Sequence, residues 1–185
     1  VLAGAVPFCT WIGGAPEIWQ CVVYYVLLFG GIQIALFLKE KGAYRVWRVL
    51  SRGICVAVVC VSIFILGFRQ KNLISITCLD IGQGDGIVIQ LPGGKTVMVD
   101  GGSSSKKKVA SYQILPYLKN QGISVVDAML ISHTDLDHIS GVQELLTLKE
   151  KHLTTLRIKN LLLPDWKAPE EVYYELEEQA KRCGI

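Results

Sequence analysis

At 185 residues, with 51% hydrophobic and 19% charged side chains, the chain is too apolar for an ordinary soluble domain and too charged in its second half for a purely membrane-embedded one. The formal charge of +3 does not describe a nucleic-acid-binding surface: up to Phe68 there are five Lys and Arg against two Asp and Glu, and beyond it fourteen against fourteen, so the excess bears on membrane topology. The six cysteines form no CxxC pair and no disulfide framework; Cys9, Cys21, Cys55, Cys60, Cys78 and Cys183 read as small buried residues.

The chain opens on Val1 and stops at "KRCGI" without a closing element, which reads as an internal piece of a longer protein. Residues 1–16, broken by Pro7, Gly13, Gly14 and Pro16, read as the end of an earlier helix or a re-entrant turn, and they lack the basic start of a signal peptide. Residues 18–38 are uncharged and apolar over the roughly 20 residues a bilayer core requires, and are expected to form a transmembrane helix. The Gly30-Gly31 pair within it would let another helix approach closely. Residues 53–68 form a second, shorter span whose flanking Arg52 and Arg69 can reach the interface. Between the spans Lys39, Lys41, Arg45, Arg48 and Arg52 face Glu40 alone, and no Lys or Arg precedes Ile18. The positive-inside rule makes this loop cytoplasmic and puts everything after Phe68 outside.

From Leu73 the period changes and a second region, 73–185, begins. "LISITCLDI", "GIVIQL" and "TVMVDGG" read as strands, with "PGGK" as a tight turn. "VASYQILPYLKNQG" reads as a helix kinked or cut short by Pro116, "VVDAMLIS" as a buried strand, and "GVQELLTLKEKH" as a helix. "RIKNLLLP" is a further strand, and "APEEVYYELEEQAKRCG" a helix with Pro169 in its first turn and Gly184 as its stop. The fold class is therefore transmembrane α-helices followed by an α/β layered domain.

One stretch carries chemistry. In "AMLISHTDLDHISGV" a strand ends and His133, Asp135, Asp137 and His138 follow within six positions, with Gly141 allowing a tight turn into the next helix. Imidazoles and carboxylates converging from a strand end suit a divalent ion such as zinc or manganese. The competing reading is a helix N-terminus capped by Asp135 or Asp137 with the histidines merely nearby. Lys106, Lys107 and Lys108 could touch phosphates but read as a solvated loop, His152 as a solvent-facing helix residue and not a ligand, and Tyr173 and Tyr174 as core and rim of the last helix.

"HTDLDHISG" after "AMLIS" resembles the H-x-[HD]-x-D-H signature of the metallo-β-lactamase fold, in the variant whose second histidine is aspartate. "LDIGQGDGIVIQLPGGKTVMVDGG" resembles the opening strands of that fold in the ComEC family of DNA-internalisation competence proteins, which carry it after a bundle of transmembrane helices, and "ILPYLKNQGISVVDAMLISH" continues the likeness. The resemblance covers residues 73 to about 145 closely. It implies the N-terminal half of an αββα sandwich, with His133 and Asp135 on one metal ion, Asp137 and His138 on a second, and Asp100 supporting the ligands from its strand end. Asp85 in "GQGDG" matches another recurrent position. The serine usual after "GQGD" is Gly86 here, and the family's later histidine and aspartate ligands have no counterpart before Ile185, so the site in this chain is incomplete.

By resemblance the function is uptake of single-stranded DNA across the bacterial inner membrane during transformation, by a multi-pass protein working with other competence-machinery proteins. Its extracytoplasmic domain would be a metal-dependent phosphodiester hydrolase, a nuclease, in which Asp137 holds or receives the proton of the attacking water. A translocation subunit with a structural metallo-fold, or a membrane-tethered hydrolase of a small ester, would use the same architecture.

Overall fold

The computed structural model describes residues 12–40, 44–68, 73–165 and 171–185. They belong to two compact units, one spanning Gly13–Arg69 and the other built on Gln70–Ile185. Residues 1–11, with the early helix or re-entrant turn expected there, and Pro169 lie outside the described residues.

The first unit is a helical hairpin of α1 (Ile18–Glu40) and α2 (Tyr44–Gly67). The stretches Ile18–Phe37 and Val49–Gly67 are each long and apolar enough to cross a membrane, and almost none of their surface is buried. The second helix begins well before the expected Gly53, so Arg45, Arg48 and Arg52 belong to α2 and not to a loop. Arginine is a good helix former, and a continuous helix satisfies its own backbone on the way to an apolar stretch. Cys55 and Cys60 are exposed on α2, correcting the expectation that they are buried.

Two features tie the hairpin together. A Cβ at Gly31 would lie 3.3 Å from Ile54 Cγ2 and 3.4 Å from Val58 Cγ2, whereas one at Gly30 would meet nothing; of the pair, only Gly31 is where α2 comes close. Gln20 is buried, and its Nε2 donates to the carbonyls of Ile65 (2.6 Å) and Phe68 (3.0 Å), while its Oε1 accepts from Glu17 N–H (2.8 Å). One side chain thus bonds backbone groups at the start of α1 and at the end of α2, and polar groups are costly to leave unpaired in an apolar surround.

The second unit holds a five-stranded sheet in the order β1-β2-β3-β5-β7, made of β1 (Ser75–Cys78), β2 (Gly86–Gln90), β3 (Thr96–Asp100), β5 (Ala128–Leu130) and β7 (Leu161–Leu162). The first three form an antiparallel meander, and β5 and β7 continue it in parallel. Helices α3 (Leu115–Asn120), α4 (Leu136–Glu150) and α5 (Glu171–Arg182) complete the unit. The single strands expected over 125–132 and 157–164 are each broken: Val125–Val126 (β4) and Arg157–Ile158 (β6) pair in a separate small sheet. The break has a polar cause. Asp127 accepts from Thr96 N–H (2.9 Å) and from Lys159 Nζ, and its own carbonyl accepts from Asn160 Nδ2 (2.8 Å). The Lys159 ammonium, followed by the Thr96 amide, holds the Asp127 carboxyl below the usual range.

Pro116 does not end its helix. A π-type turn over Ala110–Ile114 precedes it, with Leu115 N–H donating to Ala110 O, and the α-helical part starts where proline's missing donor is tolerated. Glu144 of α4 accepts from Ala110 N–H and Ser111 Oγ, closing the start of this segment. The core lies on one face of the sheet: Val88, Met98 and Met129 meet Ile114 and Leu118, and Ile139, Val142, Leu145 and Leu146 recurring at helical spacing on α4. Leu176 and Ala180 of α5 are buried, Tyr173 is half-buried and Tyr174 exposed.

Candidate metal centre

The strand end and the helix start that carry "HTDLDH" meet the end of β3. The helix starts earlier than expected, at Leu136, so Asp137 and His138 stand in the first turn of α4, and Asp135 takes the N-cap position without any side-chain capping bond. The capping alternative therefore leaves the Asp135 carboxylate unused. Gly141 does not turn the chain into the helix, because it lies within α4; a Cβ there would be 2.1 Å from Gly101 O, so its role is to let α4 cross the backbone after β3. Gly101 N–H donates to His138 O (2.9 Å) at this crossing.

Asp100 organises what lies above. It is buried, with a left-handed backbone (φ 53), and its carboxylate accepts three hydrogen bonds: Ser132 N–H (2.8 Å), Ser132 Oγ (2.6 Å) and His138 Nδ1 (3.0 Å). A carboxylate can only accept, so His138 carries a proton on Nδ1, and as a neutral imidazole it offers the Nε2 lone pair. Since the Ser132 hydroxyl donates to Asp100, its oxygen accepts from His133 Nδ1 (2.9 Å), and His133 also offers Nε2. The two rings lie 3.6 Å apart between centroids. Ser132 escaped the sequence reading; it directly precedes His133, but its bond to Asp100 crosses 32 positions of chain.

The ligand-type atoms of His133, Asp137 and His138 lie within 4.8 Å of one another, the one such group among the described residues. Asp135 Oδ2 is 3.4 Å from His133 Nε2, and Asp137 Oδ2 is 3.9 Å from His138 Nε2. Asp85 Oδ2 stands 3.7 Å from the same His138 nitrogen. Two oriented imidazole lone pairs among carboxylates, with their distal nitrogens tied to a buried acid, are a donor set that fits a divalent ion. A Cβ at position 86 would meet Ile81 Cδ1 (3.0 Å), Gly101 Cα (3.6 Å) and Leu79 Cδ1 (3.7 Å). Lys106 Nζ is bound by Asp80, at its carbonyl (2.9 Å) and its carboxylate (3.0 Å), and the ammonium holds the Asp80 carboxyl below its usual range. His152 is exposed, as expected, but it lies in the turn after α4 with a left-handed backbone (φ 55) and not in the helix expected to reach it.

Residues 79–173, just over half of the chain, match the family model of the metallo-beta-lactamase superfamily, and the chain belongs to that superfamily. Among curated proteins it is 33% identical over 100 residues to "Recombination protein 2" of Haemophilus influenzae, covering 54% of this chain and 12% of that protein. It is 27% identical over 154 residues to "ComE operon protein 3" of Bacillus subtilis, covering 75% of this chain and 19% of that one. The matches thus span under a fifth of either relative's length, and they bear out the resemblance to the ComEC competence proteins. No solved structure matches the chain. A metallo-β-lactamase domain implies divalent metal binding, and two apolar helices with such relatives fit a membrane protein.

Proposed function

We propose that the chain is part of a bacterial inner-membrane protein of DNA uptake, and that its metallo-β-lactamase domain hydrolyses phosphodiester bonds of DNA. The observation that carries the chemistry is the pair of Nε2 atoms held ready by Asp100 and Ser132 beside Asp135 and Asp137. His133 and Asp135 would hold one ion, zinc or manganese, and Asp137 and His138 the other. Divalent ions so held supply Lewis-acid polarisation of a phosphoryl group and acidify water.

The chain's own residues do the rest. Asp100 fixes the protons on Nδ1 of both rings, directly for His138 and through Ser132 for His133, so neither ring needs to reorient on binding. Asp137, with its carboxylate at the opening of the site and its backbone fixed in the first turn of α4, holds or receives the proton of the attacking water. The residues beyond Phe68 carry fourteen basic against fourteen acidic groups, and Lys106 is engaged by Asp80. Attraction for the phosphate backbone therefore depends on the bound ions, and DNA binding is modest and salt-sensitive.

The assay is a labelled DNA strand incubated with the intact protein, with and without chelator. Cleavage should be lost on chelation and in Asp137→Asn, with DNA binding reduced less than cleavage. Cleavage that survives both would overturn the mechanism, and binding without cleavage under any metal would favour a translocation subunit.

The domain is extracytoplasmic in this reading, supported by the basic residues that lie between the two spans. A cysteine placed at position 106 should react with an impermeant maleimide in intact cells; reaction only after lysis would reverse the topology.

A further inference from the structure

We propose that Asp85 is a third donor to the Asp137/His138 half of the centre, an assignment that rests on reading the site as a metal centre. His138 is 9% exposed, its Nδ1 is committed to Asp100, and its Nε2 meets two carboxylate oxygens at near-equal distance, Asp85 Oδ2 at 3.7 Å and Asp137 Oδ2 at 3.9 Å. Neither distance is that of a hydrogen bond. When His138 is neutral, its Nε2 lone pair faces two anionic oxygens, an arrangement that a cation held among the three stabilises.

The position of Asp85 is built into the backbone. Its N–H donates to Asp137 O (3.2 Å), and its carbonyl accepts from Gly102 N–H (3.3 Å), so the loop carrying it is fastened both to α4 and to the turn after β3. Gly84 makes this possible: at φ +151 it adopts a conformation L side chains rarely take, and a Cβ would sit 2.2 Å from Gly102 O and 2.4 Å from Asp137 O. The Asp85 carboxylate itself accepts no hydrogen bond from the described residues and is largely exposed toward the opening. Asp80, on the same loop, is instead committed to Lys106. Two carboxylates and one imidazole form a harder donor set than the imidazole-carboxylate pair left to His133 and Asp135, which favours manganese over zinc at this half.

The test is calorimetric titration of Mn²⁺ and of Zn²⁺ into the full-length protein in detergent, comparing wild type, Asp85→Asn, Asp85→Ala, Asp137→Asn, Asp135→Asn and, as a loop control, Asp80→Asn. The Asp85 variants should weaken by about tenfold or more the same binding step that Asp137→Asn weakens, spare the step lost in Asp135→Asn, and affect Mn²⁺ more than Zn²⁺. Without metal, the Asp85 variants should melt no lower than wild type, because no hydrogen bond of the Asp85 side chain is lost and its negative charge no longer faces Asp137. Wild-type affinity at both steps in Asp85→Ala would overturn the assignment while leaving the metal centre standing. A wild-type protein that binds no ion would remove the metal centre itself, and this role with it.

Discussion

Asp100 shows how much one side chain can decide. Its three accepted hydrogen bonds set the tautomer of one histidine directly and of the other through Ser132. Replacing it with Asn keeps the volume but removes the charge and one acceptor oxygen, so His138 loses its anchor and the Ser132 relay is left to compete for the other oxygen. Asp100→Asn should lower metal affinity about 10- to 100-fold, measured by competition with a fluorescent chelator. Ser132→Ala should cost less and act on the step that His133→Ala abolishes. Equal affinity in wild type and Asp100→Asn would mean that the ligands orient themselves.

Among the elements, the α1/α2 hairpin combines close packing at a glycine with a polar tie at Gln20. In lipid no hydrophobic force draws two apolar helices together, so close packing at small residues and interhelical hydrogen bonds must hold them. Gly31 provides the first and Gln20 the second. Gly31→Leu would drive a branched side chain into Ile54 and Val58 and should destabilise the hairpin by about 1–3 kcal/mol, read as easier unfolding in a detergent titration. Gly30→Leu is the control, since nothing lies within 4 Å of its Cβ position and it should be neutral. Similar effects from both would show that the hairpin packs elsewhere.

At the scale of the whole molecule, the sheet of the second unit is finished on one face only. The strand register puts Val88, Met98 and Met129 side by side toward the helices, and Ile76, Ile89, Val97, Ile87, Val99 and Leu130 on the other face. That second face is apolar but half-buried at best, with Ile76 66% and Leu130 37% exposed, and Cys78, expected to be buried, is exposed there too. A contiguous apolar sheet face asks for a cover, and an αββα sandwich supplies it with a second sheet. Residues 73–185 expressed by themselves should therefore bind the dye ANS and self-associate, and a form carrying a second β layer should do neither. A monomeric, dye-silent 73–185 would mean that this face tolerates water.

Much of this protein is legible from neighbours along the chain. Two apolar stretches of membrane length, the switch to period-2 patterning at Leu73, and four ligand-type residues within six positions at a strand end are all local. They sufficed for the fold class and marked His133, Asp135, Asp137 and His138 as candidates. Helix boundaries were missed where local signals compete: α2 runs back to Tyr44, and α4 begins before "GVQELL" because its first turn also carries the candidate ligands. The split of each late strand followed from Asp127 meeting Thr96 and Lys159, partners more than thirty positions away. Contacts between distant segments set which nitrogen of each histidine bonds Asp100 or Ser132, link the two rings to Asp100 through Ser132, and bring Asp85 to face His138. Each depends on the end of β3, the "GQGDG" loop and the first turn of α4 being stacked backbone to backbone at glycines, and no periodicity along the chain encodes a contact between segments that far apart.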